Sequence, residues 1–303
     1  MHLRNGIVFI EGFNKGRFPF SNSLLVKGRD KTVLIDVGAG LNVLSGIKDR
    51  VDIVVITHLH PDHFALSYLF RGKNVYVPMI EAKYKRLVDL ASRYVGKKLV
   101  DTWINFVKTA MNAKDPYFTD VYEEGDVIEL GGVEIHPIYT PGHTVGHYVM
   151  LIGDNIVHGA DIDLTSFGPW YGHVESNIED FTKSIKRVME LEPEIYVSGH
   201  KPPIQGTEKI RMELEKYVKK FDETSMKILE ILKEPRSLED LTKMGLIYPK
   251  KPYQPKLLEY WEKNMILHHL KLMVKRRLIK KLKDEKYVSI EHFDRNNVIL
   301  NMK

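Results

Sequence analysis

The amino-acid sequence predicts an α+β protein built from two domains. Over the first two-thirds of the 303 residues, short apolar runs rich in β-branched residues alternate with segments that have helical spacing. The last third is mainly helical and ends in a hairpin pattern. We therefore predict a larger domain over residues 1–207 and a smaller helical domain over residues 208–303, and the chain is long enough for both cores.

The larger domain begins with strands and contains one helical insertion. Strand patterns cover residues 7–11, 23–28, 32–37, 51–56 and 75–78. Helical spacing then runs over about residues 80–118, where aromatic residues are frequent. This insertion can be a lid or wall over a substrate, or a helix pair packed on the strands. Strands return between Asp126 and Ala160, and Asn177 is a typical N-cap for a helix ending near Leu191.

Three imidazoles and one carboxylate follow the strand pattern at 51–56 within six residues: His58, His60, Asp62 and His63. His58 and His60 can point the same way from an extended segment, and Pro61 turns the chain so that the other two face the same space. These donors suit zinc, iron or manganese, and the absence of cysteine excludes thiolate ligands. Imidazoles crowded together oppose each other's protonation unless something binds them, so the loop predicts a metal site.

Three later apolar runs also end at possible ligands, namely His143, Asp161 and His200. With Asp36 in Leu34-Ile35-Asp36-Val37-Gly38-Ala39-Gly40, these segments supply five motifs. In this arrangement the chain resembles a hydrolase of the metallo-β-lactamase superfamily, and the segment from Thr140 to His147 is similar to the glyoxalase II-like branch. The resemblance implies a four-layer αββα sandwich with metal ions at one edge.

The resemblance also implies two divalent metal ions, zinc first and iron or manganese as alternatives. One ion would be held by His58, His60 and His143, and the other by Asp62, His63 and His200. Asp161 would bridge the two ions. Asp36 is expected to hold the ligand loop from behind by hydrogen bonds rather than to bind metal.

Two ions a few ångströms apart lower the pKa of a shared water and supply a metal-bridging hydroxide. The predicted function is therefore metal-dependent hydrolysis of a small ester, thioester or lactone. Asp62 can relay the proton of that water while it binds metal. Tyr171 and His173 lie in the loop that leaves Asp161, and we predict that they hydrogen-bond the substrate or the developing oxyanion.

The smaller domain is predicted to be a winged helix, because helical patterns precede a hairpin with a charged turn at residues 281–290. Its segments Asn264–Leu270 and Lys275–Ile279 resemble the tail of the β-lactamase-like protein 2 branch. Residues 222–303 hold 18 Lys and Arg against 12 Asp and Glu, whereas residues 1–221 hold 27 against 28. The basic cluster comprises Lys271, Lys275, Arg276, Arg277, Lys280, Lys281 and Lys283.

This basic cluster leaves open a second function, a single-strand endonuclease whose tail holds RNA or DNA. The tail can instead brace the catalytic domain or form a homodimer. No apolar run approaches the roughly 18 residues of a membrane span, and the first ten residues lack a basic-then-apolar pattern. We therefore expect a cytoplasmic protein with a small-molecule substrate and no membrane partner.

Overall fold

Two β-sheets packed face to face form the centre of the larger domain in the computed structural model, which describes residues 1–4, 6–250 and 254–290. The strands of the first sheet, in spatial order, are β1 (His2–Arg4), β2 (Ile7–Ile10), β3 (Ser23–Lys27), β4 (Thr32–Ile35), β5 (Ile53–Val55), β6 (Asn74–Pro78) and β7 (Asp120–Tyr122). Strands β1 to β4 pair antiparallel, and β4 to β7 pair parallel.

The second sheet is antiparallel except for one pair. Its strands are β8 (Ile128–Glu129), β9 (Glu134–Tyr139), β10 (Tyr148–Ile152), β11 (Ile156–His158), β12 (Ile195–Val197) and β13 (Ile204–Gln205), in the spatial order β13-β12-β11-β10-β9-β8. Strands β11 and β12 run parallel, and the crossover connection that parallel neighbours require contains a helix. An apolar core that includes Phe9, Val55, Met150 and Val197 fills the space between the two sheets.

Helices cover the outer face of each sheet. The helices on the first sheet are α1 (Leu41–Ser45), α2 (Pro61–Phe64), α3 (Leu87–Tyr94) and α4 (Val100–Met111), and those on the second are α5 (Ile178–Glu190) and α6 (Thr207–Ile231). Val54 of β5 packs toward the helices while Ile53 and Val55 pack toward the second sheet, so this strand is apolar on both faces. The predicted α+β four-layer sandwich is confirmed.

The smaller C-terminal part is helical and packs directly on the sandwich. Its elements are α7 (Leu238–Lys243), α8 (Pro255–Lys275), β14 (Ile279–Lys281) and β15 (Tyr287–Ser289), which follow the order predicted for a winged helix. Helix α8 contributes Trp261 to the core of the insertion, Met265 to the core beside α5, and Leu270 to the core of the tail. The predicted boundary at residues 207 and 208 coincides with the start of α6, whose first half belongs to the sandwich. Within the described ranges, no helix is long and apolar enough to cross a membrane.

His269 connects the C-terminal part to the loop that follows Asp161, called the site loop below, because it contacts Tyr171 of that loop. Its two ring nitrogens lie 2.7 Å from the Tyr171 hydroxyl and 2.8 Å from the Ser225 hydroxyl. Burial, with a further contribution from His268, lowers the pKa of His269 to about 3. In the unfolded chain its pKa is about 6.5, so between pH 6.5 and 3 only the unfolded state binds this proton. This contribution to stability is complete above pH 6.5 and is lost as the pH falls.

We expect His269→Gln to reduce the acid sensitivity of the fold. Between pH 7 and pH 5, wild-type protein should lose about 2 kcal/mol more unfolding free energy than the variant, since the variant lacks one titrating imidazole. Urea unfolding at the two pH values, with equal metal content in both proteins, measures this difference. Parallel pH profiles for the two proteins would contradict the prediction.

Candidate metal centre

The ligand loop leaves the end of β5, as the sequence predicts, and Asp36 holds it from behind. The Asp36 carboxylate accepts hydrogen bonds from the Thr57 backbone N–H at 2.8 Å and from the Thr57 hydroxyl at 2.9 Å. It also lies 2.7 Å from His63 Nδ1. A proton shared there leaves His63 Nε2 free to bind a metal ion. The anchoring role predicted for Asp36 is confirmed.

Glu81 holds the same loop from the other side and was not predicted. Its Oε2 accepts a hydrogen bond of 2.5 Å from the backbone N–H of Leu59, which lies between two of the predicted ligands. Its Oε1 lies 2.8 Å from Arg93 Nη1, and Arg93 also pairs with Glu175. Both partners of the Glu81–Arg93 pair are buried and both belong to the helical insertion. The hydrogen bond from Leu59 to Glu81 therefore joins the ligand loop to the insertion, where Arg93 balances the charge of the carboxylate. No local sequence pattern marks Glu81, because its partners are distant in the chain.

We expect Arg93→Ala to destabilise the fold by about 3–5 kcal/mol, because it leaves the Glu81 carboxylate buried without its partner. Arg86→Ala is the matched control, since Arg86 forms an exposed pair with Asp89 in the same region and such pairs contribute little to stability. Chemical unfolding of the two variants measures the difference. Equal losses in the two variants would contradict a stabilising role for the buried pair.

The structure brings the seven predicted metal ligands together in two adjoining groups. The first ligand group is His58, His60, His143 and Asp161, and the second is Asp62, His63 and His200. Within each group the possible ligand atoms lie within 4.8 Å of one another. All seven side chains are buried or nearly so, although separate segments of the chain supply them.

Asp161 lies between the two groups and presents one oxygen to each. Its Oδ2 lies 2.9 Å from His143 Nε2, 3.6 Å from His58 Nε2 and 3.7 Å from His60 Nδ1. Its Oδ1 lies 2.8 Å from His63 Nε2 and 3.3 Å from His200 Nε2. This geometry fits a carboxylate that bridges two ions. Asp62 Oδ2 completes the second group at 3.4 Å from His200 Nε2.

The two ligand groups fit divalent metal ions because several of their buried polar atoms have no hydrogen-bond partner. His58 Nε2, His63 Nε2 and Asp161 Oδ1 are buried without a hydrogen bond of acceptable geometry, a costly arrangement unless another group binds them. The donors are imidazole nitrogen and carboxylate oxygen, which suit zinc and other borderline ions. The donor set therefore fits the binding of divalent metal ions.

The electrostatics of the site separate the histidines into two kinds. Burial, together with the neighbouring His143, lowers the pKa of His60 to about 4, and burial with His63 and His60 lowers the pKa of His58 far below its usual value. For His63 and His200, burial opposes the charged form, but the carboxylates around them prevail and raise both pKa values well above the usual range. His58 and His60 therefore present neutral imidazoles, the form that binds metal.

His173 contacts a ligand rather than open space. Its Nε2 lies 2.6 Å from His60 Nε2, and its Nδ1 lies 3.2 Å from the Tyr94 carbonyl oxygen. If His173 donates from Nδ1 to Tyr94, its Nε2 accepts from His60 Nε2. His60 Nδ1 is then unprotonated and faces the other ligands of its group, at 2.9 Å from His143 Nε2 and 3.7 Å from Asp161 Oδ2. The Tyr94 ring stacks on His173 with 4.1 Å between the ring centroids. His173 also lines the cavity, but its polar atoms are engaged in orienting His60.

Tyr171 occupies a different position from the one predicted. Its side chain is buried, its hydroxyl lies 2.7 Å from His269 Nε2, and it packs on Phe221. It is not among the residues that line the cavity over the metal ligands. Within this loop, Trp170 and His173 line the cavity, whereas the Tyr171 hydroxyl contacts His269 of the tail. We therefore assign no substrate contact to Tyr171.

The C-terminal part holds this site loop in place. Asn264 Nδ2 donates to the Gly172 carbonyl oxygen at 2.8 Å, and His268 Nε2 lies 2.6 Å from the His173 carbonyl oxygen. Trp170 Nε1 donates to the Tyr248 hydroxyl at 2.6 Å. These contacts support the bracing role considered for the tail.

A cavity of about 860 Å³ opens above the two ligand groups. The helical insertion supplies one wall through Tyr94, Trp103, Phe106, Val107 and Met111. Both alternatives considered for the insertion are thus partly realised, because Trp103 and Val107 also belong to the core on the first sheet. The cavity lining also includes five of the predicted metal ligands: His60, Asp62, His143, Asp161 and His200.

Comparison with known proteins agrees with this fold and site. Residues 16–200 match the family model described as the metallo-beta-lactamase superfamily. The chain therefore belongs to the metallo-β-lactamase superfamily. Among solved structures, a metallo-beta-lactamase family protein from Thermus thermophilus superimposes with a TM-score of 0.73 at 20% identity, covering 95% of this chain and 100% of that one.

Curated relatives include several hydrolases. Over 167 residues the chain is 29% identical to a hydroxyacylglutathione hydrolase from Acidiphilium cryptum, a match that covers 54% of this chain but only 56% of the relative. It is 27% identical to an acyl-coenzyme A thioesterase from Gallus gallus, over 56% of this chain and 67% of the relative. A beta-lactamase-like protein 2 homolog from Caenorhabditis elegans is 20% identical over 96% of this chain and 89% of the relative. The predicted family is confirmed, and these relatives are consistent with the predicted glyoxalase II-like branch.

Proposed function

We propose that this protein hydrolyses a small ester, thioester or lactone with the help of two divalent metal ions, zinc first. The observation that carries the proposal is the Asp161 carboxylate, which turns one oxygen to each of two buried ligand groups beneath a large cavity. Bound there, the two ions would polarise the substrate carbonyl and lower the pKa of an attacking water. The relatives named as a hydroxyacylglutathione hydrolase and an acyl-coenzyme A thioesterase support the same reaction class.

The residues of the chain have distinct tasks in this reaction. His58, His60 and His143 would hold one ion, and Asp62, His63 and His200 the other. Asp62 directs Oδ2 toward His200, so its other oxygen is available to accept the proton of the attacking water. The water oxygen bonds to the acyl carbon, the bond to the leaving oxygen or sulfur breaks, and the leaving group takes up a proton. The products are an acid and an alcohol or thiol.

A screen of purified protein tests the proposal. The substrates are a thioester, an ester, a lactone and a short single-stranded RNA. The metal content of the same protein sample is measured alongside each assay. We expect about two metal ions per chain and turnover of at least one acyl substrate. Treatment with a chelator should abolish this turnover. Turnover that persists unchanged in His60→Ala, or fewer than two ions in fully active protein, would overturn the dinuclear mechanism.

The alternative of a single-strand endonuclease has weaker support. In a helix-turn-helix pair the second helix usually enters a nucleic-acid groove. The corresponding helix here, α8, is buried against the sandwich over most of its length. Within the basic cluster, Lys275 pairs with Glu179 and Lys281 pairs with Glu285. Cleavage of the RNA in the screen without acyl turnover would favour this alternative.

A further inference from the structure

The cavity has a cationic end near His200. Five cationic side chains line this end: Lys15, Arg17, Lys201, Lys216 and Lys220. Lys15 and Arg17 flank Gly16, whose carbonyl oxygen lies 2.8 Å from His200 Nδ1, and Lys201 follows His200 directly. The cations are therefore gathered around the second ligand group.

Helix α6 supplies the rest of this end from a single face. Glu213, Lys216, Tyr217 and Lys220 follow helical spacing and all line the cavity. Glu213 is shared between two lysines, at 3.3 Å from Lys201 Nζ and 3.0 Å from Lys216 Nζ. One carboxylate thus serves two cations, and Lys220 pairs with Glu223 at 2.8 Å. In the described part of the chain no carboxylate pairs with Lys15 or Arg17. The cationic end retains net positive charge.

The other end of the cavity, near His60, is aromatic and apolar. The rings of Trp170 and His60 lie 5.6 Å apart, and Trp170 lies 5.6 Å from Trp261. Tyr94 stacks on His173 and lies 6.0 Å from Trp103. The apolar end is completed by Phe106, Val107 and Leu258. Aromatic and apolar residues of the cavity lining thus lie beside His60 of the first ligand group, and cationic residues of the lining lie beside His200 of the second.

This polarity deepens the proposed function and rests on it. We infer that the substrate is an ester or thioester of an apolar acyl group with a leaving group that carries several negative charges, as phosphates or carboxylates. The acyl chain lies at the apolar end, the scissile carbonyl lies above Asp161, and the anionic leaving group lies at the cationic end. Burying the chain among aromatic rings and placing the anion among cations both lower the free energy of this orientation. Hydrolysis then releases an apolar carboxylic acid and an anionic thiol or alcohol.

Three octanoyl thioesters test the cationic end: octanoyl-coenzyme A, which carries phosphates; S-octanoylglutathione, which carries carboxylates; and the uncharged S-octanoyl-N-acetylcysteamine. The variant Lys15→Glu/Arg17→Glu should lower the ratio of kcat/KM for a charged over the uncharged thioester roughly tenfold. Lys209→Glu/Lys219→Glu is the matched control, since both of its lysines lie outside the cavity lining and give the same change of charge. The control should leave the ratio unchanged.

Each outcome of this experiment has one meaning. A larger loss for octanoyl-coenzyme A assigns the cationic end to phosphates, and a larger loss for S-octanoylglutathione assigns it to carboxylates. An unchanged ratio, or the same change in the control, overturns the inferred anionic leaving group while the proposed hydrolysis stands. Failure of wild-type protein to hydrolyse any of the three, with two metal ions bound, counts against the proposed function itself.

Phe106→Ala tests the apolar end. Phe106 lines the cavity and its ring lies 6.0 Å from that of Phe18, whereas Ile104 packs in the core on the same helix and does not line the cavity. We expect Phe106→Ala to reduce the preference for octanoyl over acetyl thioesters, and Ile104→Ala to leave that preference intact. An unchanged preference in both variants would place the acyl chain elsewhere.

Discussion

Replacing Asp161 with alanine should remove both metal ions from the protein and reduce hydrolysis by more than about 100-fold. Asp161 contacts members of both ligand groups through different oxygens, at 2.9 Å from His143 Nε2 and 2.8 Å from His63 Nε2. Its removal also takes away the carboxylate oxygens that face His63 Nε2 and His143 Nε2, although His63 Nδ1 keeps its contact with Asp36. The loss should exceed the roughly 10–100-fold effect of changing a residue that only orients a ligand. Metal content per chain after gel filtration and turnover of an acyl substrate measure the two effects.

Single-ligand variants provide the comparison for Asp161→Ala. His58→Ala should lose the ion of the first group only, and His200→Ala the ion of the second group only, because each contributes to one group. Thermal unfolding of each variant shows whether the sandwich remains intact, so that loss of metal is separated from loss of fold. A full complement of two ions in Asp161→Ala would rule out the bridging role.

His173→Phe should weaken binding of the ion in the first ligand group by roughly 10–100-fold. Phenylalanine can keep the stacking on Tyr94 but has no nitrogen to accept from His60 Nε2, so the ring of His60 loses its fixed orientation. Titration with a chelator of known affinity measures the binding of each ion. Cobalt substitution gives a second measurement, because the visible absorption of the first-group ion reports its ligand geometry.

Tyr171→Phe is the matched control for His173→Phe. The two residues are in the same loop, but the Tyr171 hydroxyl contacts His269 and does not reach the ligands. The control should bind both ions as tightly as wild-type protein and should show an unchanged cobalt spectrum. If His173→Phe behaves like the control, His173 does not position His60, and a direct contact with substrate becomes the better explanation of its place in the cavity lining.

The ligand loop and its anchor were predictable because their signals are local. The strand over Ile53–Val55 has apolar residues on every position and is followed closely by His58, so its burial places the histidines at a sheet edge. Asp36 ends a neighbouring parallel strand, and parallel strands bring their carboxyl ends to the same edge. Its hydrogen bonds to Thr57 and His63 follow from this arrangement.

The roles of the loop after Asp161 were not predictable, because they depend on segments far away in the chain. Tyr171 and His173 are two residues apart, yet one contacts His269 of the tail and the other contacts His60 of the ligand loop. Periodicity places residues on elements but does not say which distant side chain will face them. The same limit applies to Glu81, whose contact with the Leu59 backbone joins residues 22 apart.

By itself, the sequence determined the α+β class, the family and the set of side chains suited to bind metal, because strand burial and ligand chemistry are properties of short segments. The tertiary structure decided how these segments combine. It assigned Asp161 one oxygen for each ligand group, made His173 a support for His60, and packed the apolar side chains of α8 against the sandwich. It also placed cations and aromatic rings at opposite ends of one cavity, since only packing brings α4, α6 and the loop at Gly16 around the same space.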